Sequence, residues 1–211
     1  MSYLPAVIIG GGGHAKVVLD IIQFSNRYQV VGYTDPNPNS QLKDLGINHL
    51  GGDFTLQEVL NRGIKTAFMG VGDTTNIKRA DIFRKFEDMG FIFPVLKHPN
   101  SSVSGNVILE KGVIIMAGAT VNSGTELKEN VIINTGAILE HDCLVEKTAQ
   151  IGPGVILCGS VRVRKQAFIG AGSCIIQGLT VGERAVVGAG SVVINDVLPD
   201  TVVVGNPARP I

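Results

Sequence analysis

From Val103 to Val193 every sixth residue is aliphatic: Val103, Leu109, Ile115, Val121, Leu127, Ile133, Leu139, Val145, Ile151, Leu157, Val163, Ile169, Ile175, Val181, Val187 and Val193. Four residues after each of these stands a mostly small or β-branched residue, such as Val107, Val113, Ala119, Ala137, Cys143, Ala149, Ala167 or Ser173. A period of six fits neither the helical repeat of 3.6 nor the simple alternation of a strand. It is the signature of a β-helix built from hexapeptides.

The repeat resembles that of the left-handed parallel β-helix, in which three hexapeptides form the three sides of one triangular coil. Eighteen residues then advance the chain by one coil, and the sixteen repeats give a little over five coils. Equivalent positions should lie about 4.8 Å apart, the usual spacing between strands. The glycines at the fourth positions (Gly112, Gly118, Gly124, Gly136, Gly154, Gly172, Gly178, Gly190) suit corners that need positive φ. A bare prism of stacked coils could be scaffolding alone. Catalytic-looking residues at one place in the repeat argue for more.

The first ninety or so residues carry no such pulse and alternate between strand and helix patterns. Ala6–Ile9 reads as a strand, Gly10–Gly13 as a glycine turn, and Ala15–Ile22 as a helix burying Val17, Val18, Ile21 and Ile22. A strand at Val30–Tyr33 ends at Asp35. Then come a helix at about Thr55–Leu60, a strand at Ala67–Val71 and a helix at about Thr75–Met89. His98 and Pro99 mark a boundary. The expected architecture is an α/β half-Rossmann domain over residues 1–97, followed by a left-handed β-helix over residues 98–211.

Gly10, Gly12 and Ala15 satisfy G-x-G-x-x-A directly after a strand, and Asp35 stands where a ribose-binding acid would. Backbone N–H groups at such a turn favour a phosphate. The bland reading is a tight strand-to-helix turn. A full dinucleotide site needs two such halves, and too few residues precede Pro99 for both. The expected guest is a mononucleotide diphosphate carrying another group.

Formal net charge is zero with 17% charged residues, which gives no basic surface for nucleic acid. No apolar run approaches the roughly 20 residues needed to span a bilayer, so no membrane partner is expected. The apolar start runs into glycines without a basic leader, so no signal peptide is expected. Three cysteines (Cys143, Cys158, Cys174) at different registers read as packing residues in a reducing cytoplasm.

Four histidines compete for a chemical role. His49 lies in a polar loop, His98 precedes a proline at the domain boundary, and His14 follows the glycine turn, where it could reach a phosphate or sugar. His141 sits between Glu140 and Asp142 near a corner, pointing away from the core filled by Leu139 and Cys143. A lone surface histidine is usually inert, but one flanked by carboxylates can be oriented by one of them. One coil beyond His141 is Gly159, which leaves room beside the ring and offers a backbone N–H. A general base next to a bare N–H donor is the layout of acyl transfer. Ala171 and Ala189, also one coil apart, form a column of small residues along which a long thin donor could lie.

The chain resembles the bacterial nucleotide-sugar acetyltransferases of the sialic-acid O-acetyltransferase and bacillosamine N-acetyltransferase type. The likeness rests on Ile8-Ile9-Gly10-Gly11-Gly12-Gly13-His14, Gly32-Tyr33-Thr34-Asp35, Asn134-Thr135-Gly136 before Glu140-His141-Asp142-Cys143, and the closing Val204-Gly205-Asn206-Pro207-Ala208. It implies a homotrimer using acetyl-CoA, with active sites between neighbouring β-helices and no metal. His141 would be the base, Asp142 its orienting carboxylate and Gly159 the donor to the thioester or oxyanion. Gln150, Gly159, Ala171, Ala189 and Pro207 would hold acetyl-CoA; Gly12, Gly13, His14, Asp35, Gly72 and Asn134 would hold the nucleotide sugar.

Two departures stand out. Pro36 follows Asp35 where the family often has a second acid, and Gln150 stands where it commonly has a second histidine. The implied reaction is N-acetylation of a nucleotide-linked, UDP by the likeness, 4-amino-4,6-dideoxyhexose. The rivals are a sialic-acid or other sugar O-acetyltransferase, a β-helical carbonic anhydrase, which would need about three histidines where the repeat has only His141, and a non-catalytic nucleotide-binding protein or nicotinamide enzyme.

Overall fold

The computed structural model describes residues 3–72 and 76–211. Its N-terminal unit contains β1 (Leu4–Ile9), α1 (Gly13–Ser25), β2 (Tyr28–Thr34), β3 (His49–Gly51), α2 (Leu56–Asn61), β4 (Thr66–Met69) and α3 (Ile77–Asp88). The four strands form a parallel sheet in the order β3-β2-β1-β4. The order reverses between β1 and β4, and in an open α/β sheet ligands bind beyond the carboxyl ends at that point.

The helices depart from expectation in small ways. Ala15, Val18, Leu19, Ile21 and Ile22 of α1 are buried, but Val17 is exposed, because one hundred degrees of rotation per residue turns it off the core stripe. The start expected for α3 at Thr75 lies outside the described residues. His49, expected in a loop, is the first residue of the edge strand β3, where its Nε2 lies 2.9 Å from the Asp35 carbonyl.

The rest of the chain is the left-handed parallel β-helix. Two-residue strands pair in parallel with partners eighteen residues away, as in Glu126↔Leu144, Ile132↔Gln150 and Ile138↔Ile156. Three sheets of five, eight and six strands form the faces of the prism. Inside, the large column and the small column are buried together from Val113 to Val203. Each stacked aliphatic contributes on the order of 1.5–3 kcal/mol through the water it sheds. Leu96–Lys97 already pairs with Ile114–Ile115, so the first rung lies just ahead of residue 98.

Fourteen consecutive turn positions from 112 to 190 have positive φ, and six of them are not glycine: Asn130, Asp142, Thr148, Ser160, Gln166 and Arg184. They fall into three corner columns. The corner between the six- and eight-stranded faces is all glycine (Gly118, Gly136, Gly154, Gly172, Gly190). The corner between the six- and five-stranded faces carries Gly124, Asp142, Ser160 and Gly178. The third corner carries Gly112, Asn130, Thr148, Gln166 and Arg184.

The three faces differ chemically. The eight-stranded face is covered by the N-terminal unit, since α1 packs through Ala15, Val18 and Ile22 in one cluster with Leu96, Ile114, Met116 and Ile132. The five-stranded face is a wet ladder of ion pairs, among them Lys128 with Glu126 at 2.9 Å and Arg164 with Glu146 at 2.6 Å. The six-stranded face presents Ile138, Ile156, Cys174 and Val192 outward in one column, with Ile176 and Ile194 beside it.

Candidate active site

A cleft of about 430 Å³ opens at the carboxyl ends of β1 and β4. It is lined by the glycine turn Gly10–Gly13, His14, Thr34, Asp35, Asn37, Asp53, Gly72 and, from α3, Lys78 and Ile82. Helix α1 starts here with Gly12 as N-cap and no side-chain capping bond, so its first N–H groups face the cleft unspent. Together with Lys78 they suit a phosphate.

Asp35 works differently from a free ribose ligand. Its Oδ2 accepts the Gly11 N–H at 2.7 Å and its Oδ1 accepts the Asn37 N–H at 2.8 Å, so the carboxylate ties the glycine turn to the end of β2. Gly11 must be glycine, because a Cβ there would lie 2.3 Å from Ser40 Oγ. Gly12 and Gly13 leave open space, and at Gly72 a Cβ would come 3.2 Å from His14.

His14 projects from the first turn of α1, and its Nε2 is buried without a hydrogen-bond partner among the described residues. Burial, and then the nearby Arg79 cation, lower its pKa to about 4. The ring is therefore neutral above that value, able to bond a ligand but not to pair ionically with a phosphate. The unfolded chain binds a proton at 6.5 that the folded chain refuses until about 4, so stability falls as pH drops through that window. The loss should approach up to about 3 kcal/mol by pH 4. Urea titrations of the wild type and His14→Gln between pH 7 and 4 check this; the variant should lack that part of the slope.

On the corner between the six- and five-stranded faces, His141 is 63% exposed and its Nδ1 lies 2.8 Å from Asp142 Oδ2. A carboxylate only accepts, so Nδ1 carries the proton and Nε2 keeps its lone pair. Asp142 reaches back because its backbone is left-handed, at φ 59. Gly124, one coil below, makes room, since a Cβ there would sit 2.3 Å from Asp142 Oδ1. Glu140, the other flanking acid, turns away and accepts from Asn122 Nδ2 at 3.0 Å. Gly159 lies above the ring as the eighteen-residue spacing implies: a Cβ on it would be 2.7 Å from His141 Nε2. The Gly159 N–H makes no backbone hydrogen bond among the described residues.

Of the residues expected to hold the acetyl donor, Gly159 stands beside His141, while Ala171, Ala189 and Pro207 gather elsewhere. Ala171 and Ala189 are exposed on the all-glycine corner. The segment containing Pro207 closes on the end of that corner, where Gly205 N–H donates to Ser191 Oγ and Ala208 N–H to Val192 O. Gln150 stands on the eight-stranded face in line with Ile132, its Oε1 buried and unbonded among the described residues. Asn134 spends its side-chain amide on the Ile151 carbonyl at 2.8 Å and serves the corner itself. Within one chain, the width of the six-stranded face separates His141, Asp142 and Gly159 from Ala171, Ala189 and Pro207.

The cysteines are unpaired, and burial pushes the Cys143 thiol up to about 11, out of the nucleophilic range. Among the described residues no group of three His, Cys, Asp or Glu could hold a metal ion, and no helix is long and apolar enough to cross a membrane.

The PglD N-terminal domain family matches residues 6–86. Among solved structures, PerB from Caulobacter crescentus in complex with CoA and GDP-perosamine is 37% identical over 98% of this chain and 97% of its own, with a TM-score of 0.93. The acetyltransferase domain of PglB from Neisseria gonorrhoeae in complex with acetyl coenzyme A is 33% identical over 100% of both chains, with a TM-score of 0.91. WeeI from Acinetobacter baumannii, at 22% identity and a TM-score of 0.81, shares the fold. Comparison with curated proteins gives no match. The chain belongs to the hexapeptide-repeat sugar N-acetyltransferases.

Proposed function

We propose that this enzyme moves acetyl from acetyl-CoA to the amine of a nucleoside-diphosphate-linked 4-amino-4,6-dideoxyhexose, with His141 as general base. The observation that carries this is His141 Nε2, its lone pair freed by the Nδ1–H bond to Asp142 and facing the open space beside Gly159. As the sugar nitrogen attacks the thioester carbon, the C–N bond forms, the amine proton passes to Nε2, and the oxyanion is met by the Gly159 N–H. Collapse breaks the C–S bond, and the proton passes to the departing thiolate. The cleft at β1 and α1 takes the diphosphate on the uncapped helix start and Lys78.

The same reading makes the enzyme a homotrimer. The donor corner and the base corner flank the apolar six-stranded face, so packing such faces around an axis brings His141 of one copy to Ala171 and Ala189 of the next. The unpaired thiols suit a reducing cytoplasm. The family resemblance implies UDP as the carrier, while PerB is bound to GDP-perosamine.

The test is thiol release from acetyl-CoA with UDP-, TDP- and GDP-linked 4-amino-4,6-dideoxyhexoses, and with sialic acid as the O-acetyl comparison. Release with one amino sugar names the nucleotide. Release with sialic acid alone replaces N- by O-acetylation, and silence throughout overturns the reading.

A further inference from the structure

Helix α3 carries the wall of the cleft on one side and a buried cation on the other. Lys78 and Ile82 line the cleft, whereas Arg79 between them is wholly buried against the β-helix. Its Nη2 donates to the Thr148 carbonyl at 2.7 Å and the Ala149 carbonyl at 3.4 Å, and its Nη1 donates to the Asn130 carbonyl and, at 3.3 Å, to Asn130 Oδ1. Asn76 extends the contact by one coil. Its Oδ1 accepts from Arg79 at 3.0 Å, while its Nδ2 donates to Gln166 O at 3.3 Å and Ala167 O at 3.2 Å.

The three turns gripped in this way, Asn130, Thr148 and Gln166, are successive corners eighteen residues apart, each left-handed without being glycine. Thr148 is β-branched, and φ 58 is strained for such a side chain. Strain of this kind persists only where the surroundings over-determine it. The two residues after Thr148 lead to Gln150, on the strand that runs toward the donor corner. On the cleft side, Arg79 is also the charge felt by His14.

We propose that Arg79 is a positioning residue of the transfer reaction, fixing the acceptor cleft at one height along the β-helix through its fork of bonds to successive corner carbonyls. This rests on the functional reading above. Reacting atoms must approach to about 3–3.5 Å, and an error of about 1 Å costs on the order of 10²-fold. Neighbouring coils are about 4.8 Å apart, so a cleft held by apolar contacts alone can shift by more than that tolerance. A guanidinium reaching several carbonyls in fixed directions sets the register, which the point charge of lysine does not.

The experiment uses the full-length enzyme and its preferred acceptor, with Arg79→Lys, Arg79→Met and the milder Asn76→Ala. The expected result is a kcat about 10²-fold lower for both Arg79 variants and about tenfold lower for Asn76→Ala. Affinity for the nucleoside diphosphate alone, measured by calorimetry, should stay within about threefold, because the cleft is displaced and not dismantled. Folded variants with wild-type kcat overturn the proposal, as does a loss of nucleotide affinity that matches the loss of kcat. If neither Arg79 variant folds, Asn76→Ala decides by the same two readings. A wild type that acetylates no acceptor fails the functional reading, and this proposal with it; a working wild type with unimpaired variants fails this proposal alone.

Discussion

Replacing His141 with alanine should lower kcat by about 10² to 10⁴, the usual share of a positioned general base. Its melting temperature should stay within a degree or two, because the ring is 63% exposed and belongs to no core cluster. The Michaelis constants should change little, since the residues proposed to hold the two ligands are mostly others. Asp142→Asn should give a smaller loss: the amide can still bond Nδ1, but it can also offer a donor and turn the tautomer so that Nε2 carries the proton. Steady-state turnover of the folded His141→Ala enzyme with acetyl-CoA and its amino-sugar acceptor is the measurement that checks this. Near-normal turnover in that variant would place the base elsewhere.

The second large effect concerns assembly. Ile156 is 39% exposed in the middle of the apolar column, between the half-buried Ile138 and Cys174. If the wild type is the proposed trimer, an Ile156→Glu enzyme should be monomeric by light scattering, and its turnover should fall at least 10²-fold. Three copies of an unpaired carboxylate would otherwise be buried around one axis, at several kcal/mol each. The coil itself should melt as before, because Leu157, not Ile156, points into the prism. An active monomer, wild type or variant, would refute a site built from two copies. The wet five-stranded face supplies the control: Arg162→Glu there should leave the oligomer intact, since that side chain is exposed among ion pairs.

The period of six contained most of the β-helix. Once sixteen aliphatics recur without a miss, coil length, inward columns and the placing of Gly159 over His141 all follow from counting by eighteen. The glycine turn was legible for a similar reason: a strand followed by G-x-G-x-x-A has few other ways to fold. Legibility failed where the answer depends on contacts between distant segments. Asp35 reads as a ribose ligand by position, but the Gly11 and Asn37 N–H groups converge on it only when β1 and β2 lie side by side. Glu140 and Asp142 flank His141 alike, and in the sequence only the family resemblance singles out Asp142. The left-handed turn at Asp142 and the hole left by Gly124 decide between them.

Arg79 was invisible as anything but one more charge on an amphipathic helix. Its partners are backbone carbonyls of Asn130, Thr148 and Ala149, groups that every residue possesses and no sequence pattern marks. The sequence by itself determined the repeat, its pitch, the nature of the two units and the residue best suited to be a base, because these depend on local periodicity and side-chain chemistry. Tertiary structure alone decided which face each unit occupies, how Asp142 reaches back to the His141 ring, and that His141 stands on the opposite edge of one apolar sheet from Ala171 and Ala189. Those outcomes arise from packing between segments far apart in the chain, where shape and the direction of hydrogen bonds, not residue type, make the choice.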